Sequence, residues 1–351
     1  MNSRVTIRHI ADDVGMHFTT VALALRNSSK IRQATREKIQ ASAARLGYRP
    51  DPALTALNAY RKTVRPPHYQ ATLAWLNNWP CRNDLLANDT FREYFEGASA
   101  RAQELGYRLE TFWLHEKELP LPKLGRVLGN RGIRGLLLAP QPHSGLTIDF
   151  DFAGFSVVSF GYSLCSPALH VVTSHNFRNM WLMLSHLEAL GYRRPGLRID
   201  KGWDKKVGFA YWGCARAYQD ECGRSLKIIR MEASDHLLAD IKKFRPDVIV
   251  SHTAIYEKLK GLGVKIPETV AFANLDTRRG GDVAGICQSS LLIGRKAVDI
   301  LVGMLHSGET GVPEMPLHLL VDSTWQPGSS LPDRNMPDRN RTRTARTGDA
   351  A

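Results

Sequence analysis

The sequence predicts two unlike parts, a small all-α head and a larger α/β body made of two halves with parallel sheets. Short apolar-periodic stretches around a single glycine occupy the residues before Tyr48. From Ala71 onward, apolar strand patterns alternate with amphipathic helix patterns, which is typical of a parallel sheet covered by helices. At 351 residues the chain is also longer than one hydrophobic core usually supports.

Three short helices are predicted in the head. Thr6 is placed to cap the first helix, and Gly15 supplies the positive φ that ends it. The second helix is expected over Phe18–Arg26 and the third over Ala34–Leu46. A short glycine-containing turn with a small residue at the crossing, here Ala11, is typical of a helix-turn-helix, although other helical bundles share these features.

A connector and a polar tail flank the body. Pro50 and Pro52 break the third helix, and Ala53–Tyr60 is long enough for a short helix that is marginal on its own. The tail has no apolar periodicity and contains the near-repeat PDRNMPDRNR, which predicts disorder. The expected divisions are a head over 1–49, a hinge helix and linker over 50–70, a two-lobed body over 71–330 and the disordered tail over 331–351.

The two halves of the body follow one another in the predicted order of elements. The first half contains the strand patterns ATLAWL, RLETFWL, IRGLLLAP and FSVVSFGY. The alternation of strand and helix patterns restarts after about Leu169, with the strand patterns RPGLRI, SLKIIRM, DVIVSHT and TVAFANLD. The long helix LLIGRKAVDILVGMLHSG is assigned to this second half. A ligand is expected in the cleft at the carboxyl ends of the strands.

Charge and composition narrow the function. Residues 1–65 hold 12 Lys/Arg against 4 Asp/Glu, so +8 of the net charge of +13 lies there. Such a concentration of positive charge is typical of a module that binds a polyanion, although a solvated basic face has the same composition.

Five cysteines without a C-x-x-C spacing indicate neither a disulfide framework nor a zinc site. With no membrane-length apolar run and no signal core, we expect a cytoplasmic protein that makes no membrane contact.

Signatures of catalysis are missing from the sequence. It contains no G-x-S-x-G, no H-E-x-x-H and no Walker loop. We therefore expect no enzyme, no cofactor and no metal. An acid–base pair of Asp276 and His252 is the weak catalytic alternative.

The outward positions of the second helix favour nucleic acid. An ordinary solvent face would more often carry Glu and Lys, whereas these side chains suit phosphates, base edges and a thymine methyl group. They are Phe18, Thr19, Thr20, Leu23 and Arg26.

The segments VTIRHIADDVGMHFTTVALALRN and TREKIQASAARLGYRPD resemble the lactose-repressor (LacI/GalR) family of bacterial transcription regulators. The resemblance continues through FEGASARAQELGY, GVKIPETVAFANLD and LIGRKAV, and it covers residues 5 to about 325. It implies a body like the periplasmic binding proteins, a homodimer on double-stranded operator DNA, and a small carbohydrate or nucleoside-like effector in the interlobe cleft.

The resemblance also implies roles on DNA. Leu57 takes the place of a leucine wedge in the minor groove, or makes an apolar contact between paired hinge helices. Leu23 stands where the family commonly has an arginine, so Arg26 is the candidate replacement for a bidentate guanine contact. By position, Phe18, Thr19 and Leu23 face bases, while Thr20, Lys30, Arg32 and Thr35 hold phosphates.

For the effector, the resemblance implies Asp276 as the first candidate contact. Phe91 is placed to stack on a sugar or base ring, or is a core aromatic. His252 and Tyr162 are weaker candidates, because a lone histidine or tyrosine often has a structural role.

Two departures from the family affect the effector site. His252–Thr253 replaces the usual N-D, and Ala210 stands at the place of an arginine, which disfavours a standard pyranose. Two alternatives stay open, a solute-binding protein of the transport type and a regulator whose body only dimerises. The basic first 65 residues disfavour the former.

Overall fold

The structure is a computed structural model, and it describes residues 5–25, 31–48, 71–222, 225–231 and 236–336. The sequence-based assignments to Arg26, Lys30 and Leu57 lie outside the described residues, as do the whole connector from 50 to 70 and the tail from 337 onward.

The head contains three helices, α1 (Ile7–Val14), α2 (Phe18–Leu25) and α3 (Gln33–Arg45). Their bounds agree with the predicted ones to within a residue over the described part. One small apolar core holds them together, and its buried residues are Ile10, Ala11, Val14, Val21, Ala24, Ile39 and Ala43.

Local polar contacts fix the ends of the head helices. The Thr6 backbone N–H donates to His9 Nδ1 at 3.2 Å, and Gly15 ends α1 with a φ of 67°. Asp13 on α1 accepts hydrogen bonds from Ser42 and Arg45 on α3. The helix start, the helix end and the turn are therefore the ones that the sequence predicts.

The strands of the body are short and mostly buried. In chain order they are β1 (Ala71–Asn77), β2 (Tyr107–Trp113), β3 (Gly135–Leu138), β4 (Leu146–Thr147), β5 (Ser156–Phe160), β6 (Leu164–Ser166), β7 (His170–Ser174), β8 (Pro195–Leu197), β9 (Ile229–Arg230), β10 (Val248–Ser251), β11 (Ala271–Asn274), β12 (Gly285–Cys287), β13 (His318–Val321) and β14 (Thr324–Gln326).

Helices cover these strands. They are α4 (Asp84–Ala87), α5 (Asp89–Glu104), α6 (Leu121–Asn130), α7 (Asn176–Ala189), α8 (Lys201–Lys206), α9 (Ala210–Cys222), α10 (Leu237–Phe244), α11 (Thr253–Gly261) and α12 (Ser290–Ser307). Among the described residues, no helix combines the length and the apolar character needed to cross a membrane.

Two six-stranded sheets form the cores of two lobes. The first lobe has the parallel order β13-β7-β5-β3-β1-β2. The second lobe has the order β14-β12-β11-β10-β8-β9, in which only β14 runs antiparallel to its neighbour. The two-lobed α/β body with parallel sheets is thus confirmed, and β4 and β6 form a small separate sheet.

The chain passes between the lobes three times, at residues 174–176, 287–290 and 321–324. Consequently α12, which the sequence assigns to the second half, packs in the first lobe, where Ile293 and Leu301 share a core with Trp75. The prediction that the halves simply follow one another is wrong. Periodicity shows which face of a helix is apolar but does not show which sheet it covers.

The first residues of the predicted tail pack against the second lobe. Leu331 is buried in the second-lobe core, and Arg334 N–H donates to the carbonyl of Leu190 at 2.9 Å. The Arg334 guanidinium also lies 4.4 Å from the Tyr192 ring centroid. Residues 331–336 therefore pack on the body, because an apolar side chain, a backbone hydrogen bond and a cation–π contact attach them.

Candidate functional sites

The side of α2 that faces away from the head core carries unusual side chains. Phe18 is 48% exposed and Leu23 is 37% exposed, although both are large and apolar. Thr19 is also exposed, and its hydroxyl lies 2.8 Å from His17 Nδ1. The His17 ring packs against the Phe18 ring with 4.4 Å between centroids. This surface offers apolar groups and a hydroxyl to a partner.

Further predicted contacts lie at the start of α3 and inside α2. Arg32 is exposed immediately before α3, and Thr35 is half-buried in its first turn. Thr20, the remaining predicted phosphate contact on α2, is half-buried. A cation and hydroxyls at helix starts are groups that hold phosphates.

A cleft of about 1270 Å³ separates the two lobes of the body. Thr90 and Glu93, in the first turns of α5, contribute one wall. The other wall includes His252, Asn274 and Asp276, at or just after the carboxyl ends of β10 and β11. These strands are neighbours in one parallel sheet, so their ends meet at the same edge and bring the polar side chains together.

Asp276 joins the two lobes at the floor of this cleft. Its carboxylate accepts a hydrogen bond from the Thr90 hydroxyl, and its backbone N–H donates to Asn274 Oδ1 at 3.1 Å. Burial raises the pKa of Asp276 to about 6. The group is therefore mostly ionised at neutral pH in an environment that does not favour its charge.

His252 lines the same cleft as Asp276. Its ring centroid is 4.5 Å from that of Trp203 and 6.4 Å from that of Tyr211. Burial lowers the pKa of His252 to about 4, so the ring is neutral at pH 7. Its Nε2 atom is buried and lacks a hydrogen-bond partner in the described part of the chain. A buried polar atom of this kind is suited to a polar ligand.

A second, inner cavity of about 60 Å³ adjoins the cleft and shares Thr90 and Asp276 with it. Phe91 lines this cavity and also belongs to the first-lobe core, where its ring lies 6.1 Å from that of Trp79. The two interpretations of Phe91, cavity wall and core aromatic, are therefore compatible.

Lys206 is a cavity residue that the sequence analysis missed. Its Nζ lies 5.0, 5.4 and 5.7 Å from the ring centroids of Trp203, Phe91 and Trp79, and it donates to the carbonyl of Pro142 at 3.2 Å. Burial lowers the pKa of Lys206 to about 8. Nothing in the local pattern WDKKVGF separates this lysine from its neighbours.

Two other positions from the sequence analysis stand apart. Tyr162 lines neither of these two cavities; its ring packs edge-on against His318, with 5.3 Å between centroids, and lies over Gly208. Ala210, at the place of the family's arginine, begins α9 outside both cavities. The structure thus brings Asp276, His252 and Phe91 together and leaves Tyr162 out.

A second contact links the lobes at the cleft rim. Asp89, at the start of α5, forms an ion pair with Arg278 of the second lobe and another with Arg92 on its own helix. Together with the Thr90–Asp276 hydrogen bond, it ties the start of α5 to the loop after β11.

Comparison with known proteins finds a family model that matches the head and relatives that match most of the chain. Residues 6–51 match the family model described as "Bacterial regulatory proteins, lacI family". The match covers the helix-turn-helix head and the residues just after it. The HTH-type transcriptional regulator GntR of Escherichia coli (strain K12) is 25% identical over 350 residues, covering 93% of this chain and 99% of that protein. The sucrose operon repressor of Shigella flexneri is 23% identical over 298 residues, covering 78% and 85%.

The likeness to solved structures extends through the body. A crystal structure of the lac repressor dimer bound to operator and the anti-inducer ONPF superposes with a TM-score of 0.51 at 15% identity, covering 92% of this chain and 98% of that one. The head thus matches the model of a family of bacterial regulatory proteins, and the relatives that match along the body are a transcriptional regulator and an operon repressor. The resemblance seen in the sequence is confirmed, and the prediction that the chain is not an enzyme agrees with these relatives.

Proposed function

We propose that this regulator is a repressor that binds a pseudo-palindromic operator as a homodimer in the cytoplasm, and that a small polar ligand in the interlobe cleft controls the binding. The observation that carries the proposal is the Thr90–Asp276 hydrogen bond, which joins the two lobes on the floor of an open cleft. A ligand that competes for Asp276 changes the contact between the lobes and hence their relative angle.

On DNA, α2 of each protomer enters the major groove of one half-site. Phe18, Thr19 and Leu23 face base edges, as their exposure permits. Phosphates are held by Thr20, Lys30, Arg32 and Thr35. Arg26 remains the proposed guanine contact and Leu57 the proposed minor-groove wedge, both outside the described residues.

The domain divisions also remain proposals, with one change. The head over 1–49 and the hinge over 50–70 stand as proposed, whereas the body is extended through 336 because residues 331–336 pack onto the second lobe.

The effector is a small molecule with several hydrogen-bonding groups, carbohydrate-like or nucleoside-like. Asp276 accepts donors, and the Nε2 atom of neutral His252, which has no hydrogen-bond partner among the described residues, takes one further hydrogen bond. Phe91 and Trp203 supply apolar ring faces beside these polar groups. Polar groups on an aromatic-walled cleft are typical of sites for polyhydroxylated ligands. The sucrose operon repressor, by its name, regulates genes of sugar use.

Regulation follows from the coupling of two binding sites. If the effector binds one interlobe angle more tightly, it shifts the population toward that angle and toward the matching DNA affinity. The same coupling free energy acts in both directions, so operator DNA changes the affinity for the effector by an equal factor.

The test is selection of bound sequences from a random duplex DNA pool at physiological salt, with and without a library of sugars and nucleosides. We expect an enriched inverted repeat whose recovery one compound alters. Asp276→Asn serves as the matched variant, in which the repeat is still enriched but the compound has no effect. Salt-sensitive binding without an enriched repeat contradicts the operator proposal, and a repeat that no compound affects supports a body that only dimerises.

A further inference from the structure

We propose that Lys206 determines effector specificity and that the effector carries a carboxylate, as a polyhydroxylated acid does and a neutral sugar does not. This inference rests on the proposed function of the cleft and names the ligand class for it. It depends on the surroundings of one ammonium group.

The first step is the incomplete set of partners around Lys206. An ammonium has three N–H donors, and here one donates to the carbonyl of Pro142 at 3.2 Å. In the described part of the chain, the ammonium also lies over the faces of Trp79, Phe91 and Trp203. Aromatic faces attract a cation but accept weaker hydrogen bonds than a carboxylate oxygen.

The second step is the lack of a counter-ion. Within the described ranges, no carboxylate forms an ion pair with Lys206, and burial is the cause that lowers the pKa of this group to about 8. Asp276 lines the same inner cavity, yet it bonds to Thr90 instead. Buried charges in proteins are generally paired, so an unpaired one in a cavity indicates a partner from outside.

The third step concerns the charge and size of that partner. The inner cavity measures about 60 Å³, and Lys206 is the one Lys or Arg among its described lining residues. Its other polar lining groups are neutral apart from Asp276. A phosphate group usually takes several cationic or backbone donors, whereas a single ammonium matches the single charge of a carboxylate.

The fourth step fixes the orientation of the ligand. The carboxylate end enters the inner cavity toward Lys206, and the hydroxyl groups extend into the cleft toward Asp276 and His252. The reverse orientation moves the ligand carboxylate away from Lys206 and leaves it facing Asp276, whose own charge is disfavoured by burial, without that cation.

The test is isothermal titration calorimetry at pH 7 with five- and six-carbon aldonates and uronates, their parent aldoses, and the phosphate esters of those aldoses. We expect at least one acid to bind the wild type about tenfold or more tightly than its parent aldose, which corresponds to about 1.4 kcal/mol. Lys206→Met should reduce this preference to about twofold or less, since it keeps an unbranched side chain of similar length and removes the charge.

Lys205→Met is the matched control, because it removes the same charge from the exposed neighbouring lysine and should keep the preference. Lys206→Arg keeps the positive charge, so this variant should retain part of the preference for the acid over its parent aldose. Circular dichroism verifies the fold, and Lys206→Gln replaces the Met variant if the latter does not fold.

Three results overturn the proposal: no acid binds more tightly than its parent aldose, a phosphate ester binds more tightly than every acid, or the preference persists without Lys206. A neutral sugar that still alters operator recovery in the DNA selection leaves the proposed function intact and refutes only the role of Lys206. Loss of the enriched repeat itself refutes the proposed function.

Discussion

The head and the interlobe cleft hold their functional side chains in opposite environments. In the head, the candidate DNA contacts Phe18 and Leu23 are exposed, while a separate set of buried residues forms the core. In the cleft, the candidate ligand contacts Asp276, His252 and Lys206 lie among protein atoms, and burial shifts the pKa of each group against its charged form.

This difference predicts how each region responds to substitution. An exposed side chain of the head can be replaced without altering the fold, because it does not belong to the head core. In the cleft, burial disfavours the charges of Asp276 and Lys206, so we expect neutral substitutes to raise the stability of the ligand-free protein and to weaken ligand binding. Four substitutions test the contrast.

The largest effect is expected for Gly294→Ala, which separates the helices that form the first-lobe wall of the cleft. A Cβ at Gly294 would lie 2.0 Å from the backbone oxygen of Tyr94 on α5, so α5 and α12 must move apart. We expect a loss of at least about 3 kcal/mol in urea unfolding of the body, with weaker effector binding because α5 carries Thr90 and Phe91.

Gly303→Ala is the control on the same helix, since a Cβ there meets nothing within 4 Å. It should stabilise α12 by about 0.5–1 kcal/mol. Equal stabilities of the two variants would show that the close approach of α5 and α12 does not limit the packing.

The next effect is a gain in stability from Lys206→Met in the absence of ligand. The folded-state pKa of about 8 lies below the ordinary value of 10.5, so the folded state disfavours the protonated form. Wild-type stability therefore rises as pH increases from about 8 to 10.5, and the full cost of the charge is present below that window.

The Met variant lacks this cost and should be more stable below pH 8 by up to about 3 kcal/mol. Thermal unfolding of both proteins across this pH range measures the difference, which should shrink toward pH 10.5. A difference that does not vary with pH would mean that Lys206 is not disfavoured as a cation.

A smaller effect is expected for Asp276→Asn. The pKa of Asp276 is raised from 3.8 to about 6, so the wild type loses stability as pH rises through this window and the Asn variant does not. At pH 7.5 the variant should be about 1–2 kcal/mol more stable, after allowing for a weaker hydrogen bond from Thr90. Calorimetric titration should show that its effector response is lost, and a variant with full response contradicts the assignment.

The smallest effect on stability is expected for Leu23→Ala in the head. Unfolding should change by less than about 0.5 kcal/mol, because Leu23 is largely outside the head core. Preference for the operator over unrelated DNA should fall by about 1 kcal/mol through loss of apolar contact with a base. Fluorescence anisotropy with both DNAs measures this ratio, and Ala44→Ser on the exposed side of α3 should leave it unchanged.

The head was predictable from sequence because its determinants are local. Gly15 ends α1 and Val21 turns inward within a few residues of the turn, so pattern and structure agree. The strands of the body were also largely predictable, because apolar runs such as Leu136–Leu138 are buried on both faces.

The composition of the cleft was only partly predictable. Asp276 was found through the family resemblance, but its partner Thr90 lies 186 residues away in the chain. Lys206 differs from Lys205 only in the three-dimensional environment of its Nζ, which combines side chains from both lobes. The position of α12 was mispredicted for the same reason, since the crossing at 287–290 is a property of the assembled sheets.

The threefold passage of the chain between the lobes has a consequence for synthesis on the ribosome. The head is complete once residue 48 has left the exit tunnel, but the first lobe lacks α12 and the edge strand β13 until residue 321 has been made. The lobe that emerges first is thus among the last to close. A nascent chain arrested before residue 290 would expose the apolar side of α5 and the open edge of β7, and would be a substrate for chaperones and proteases.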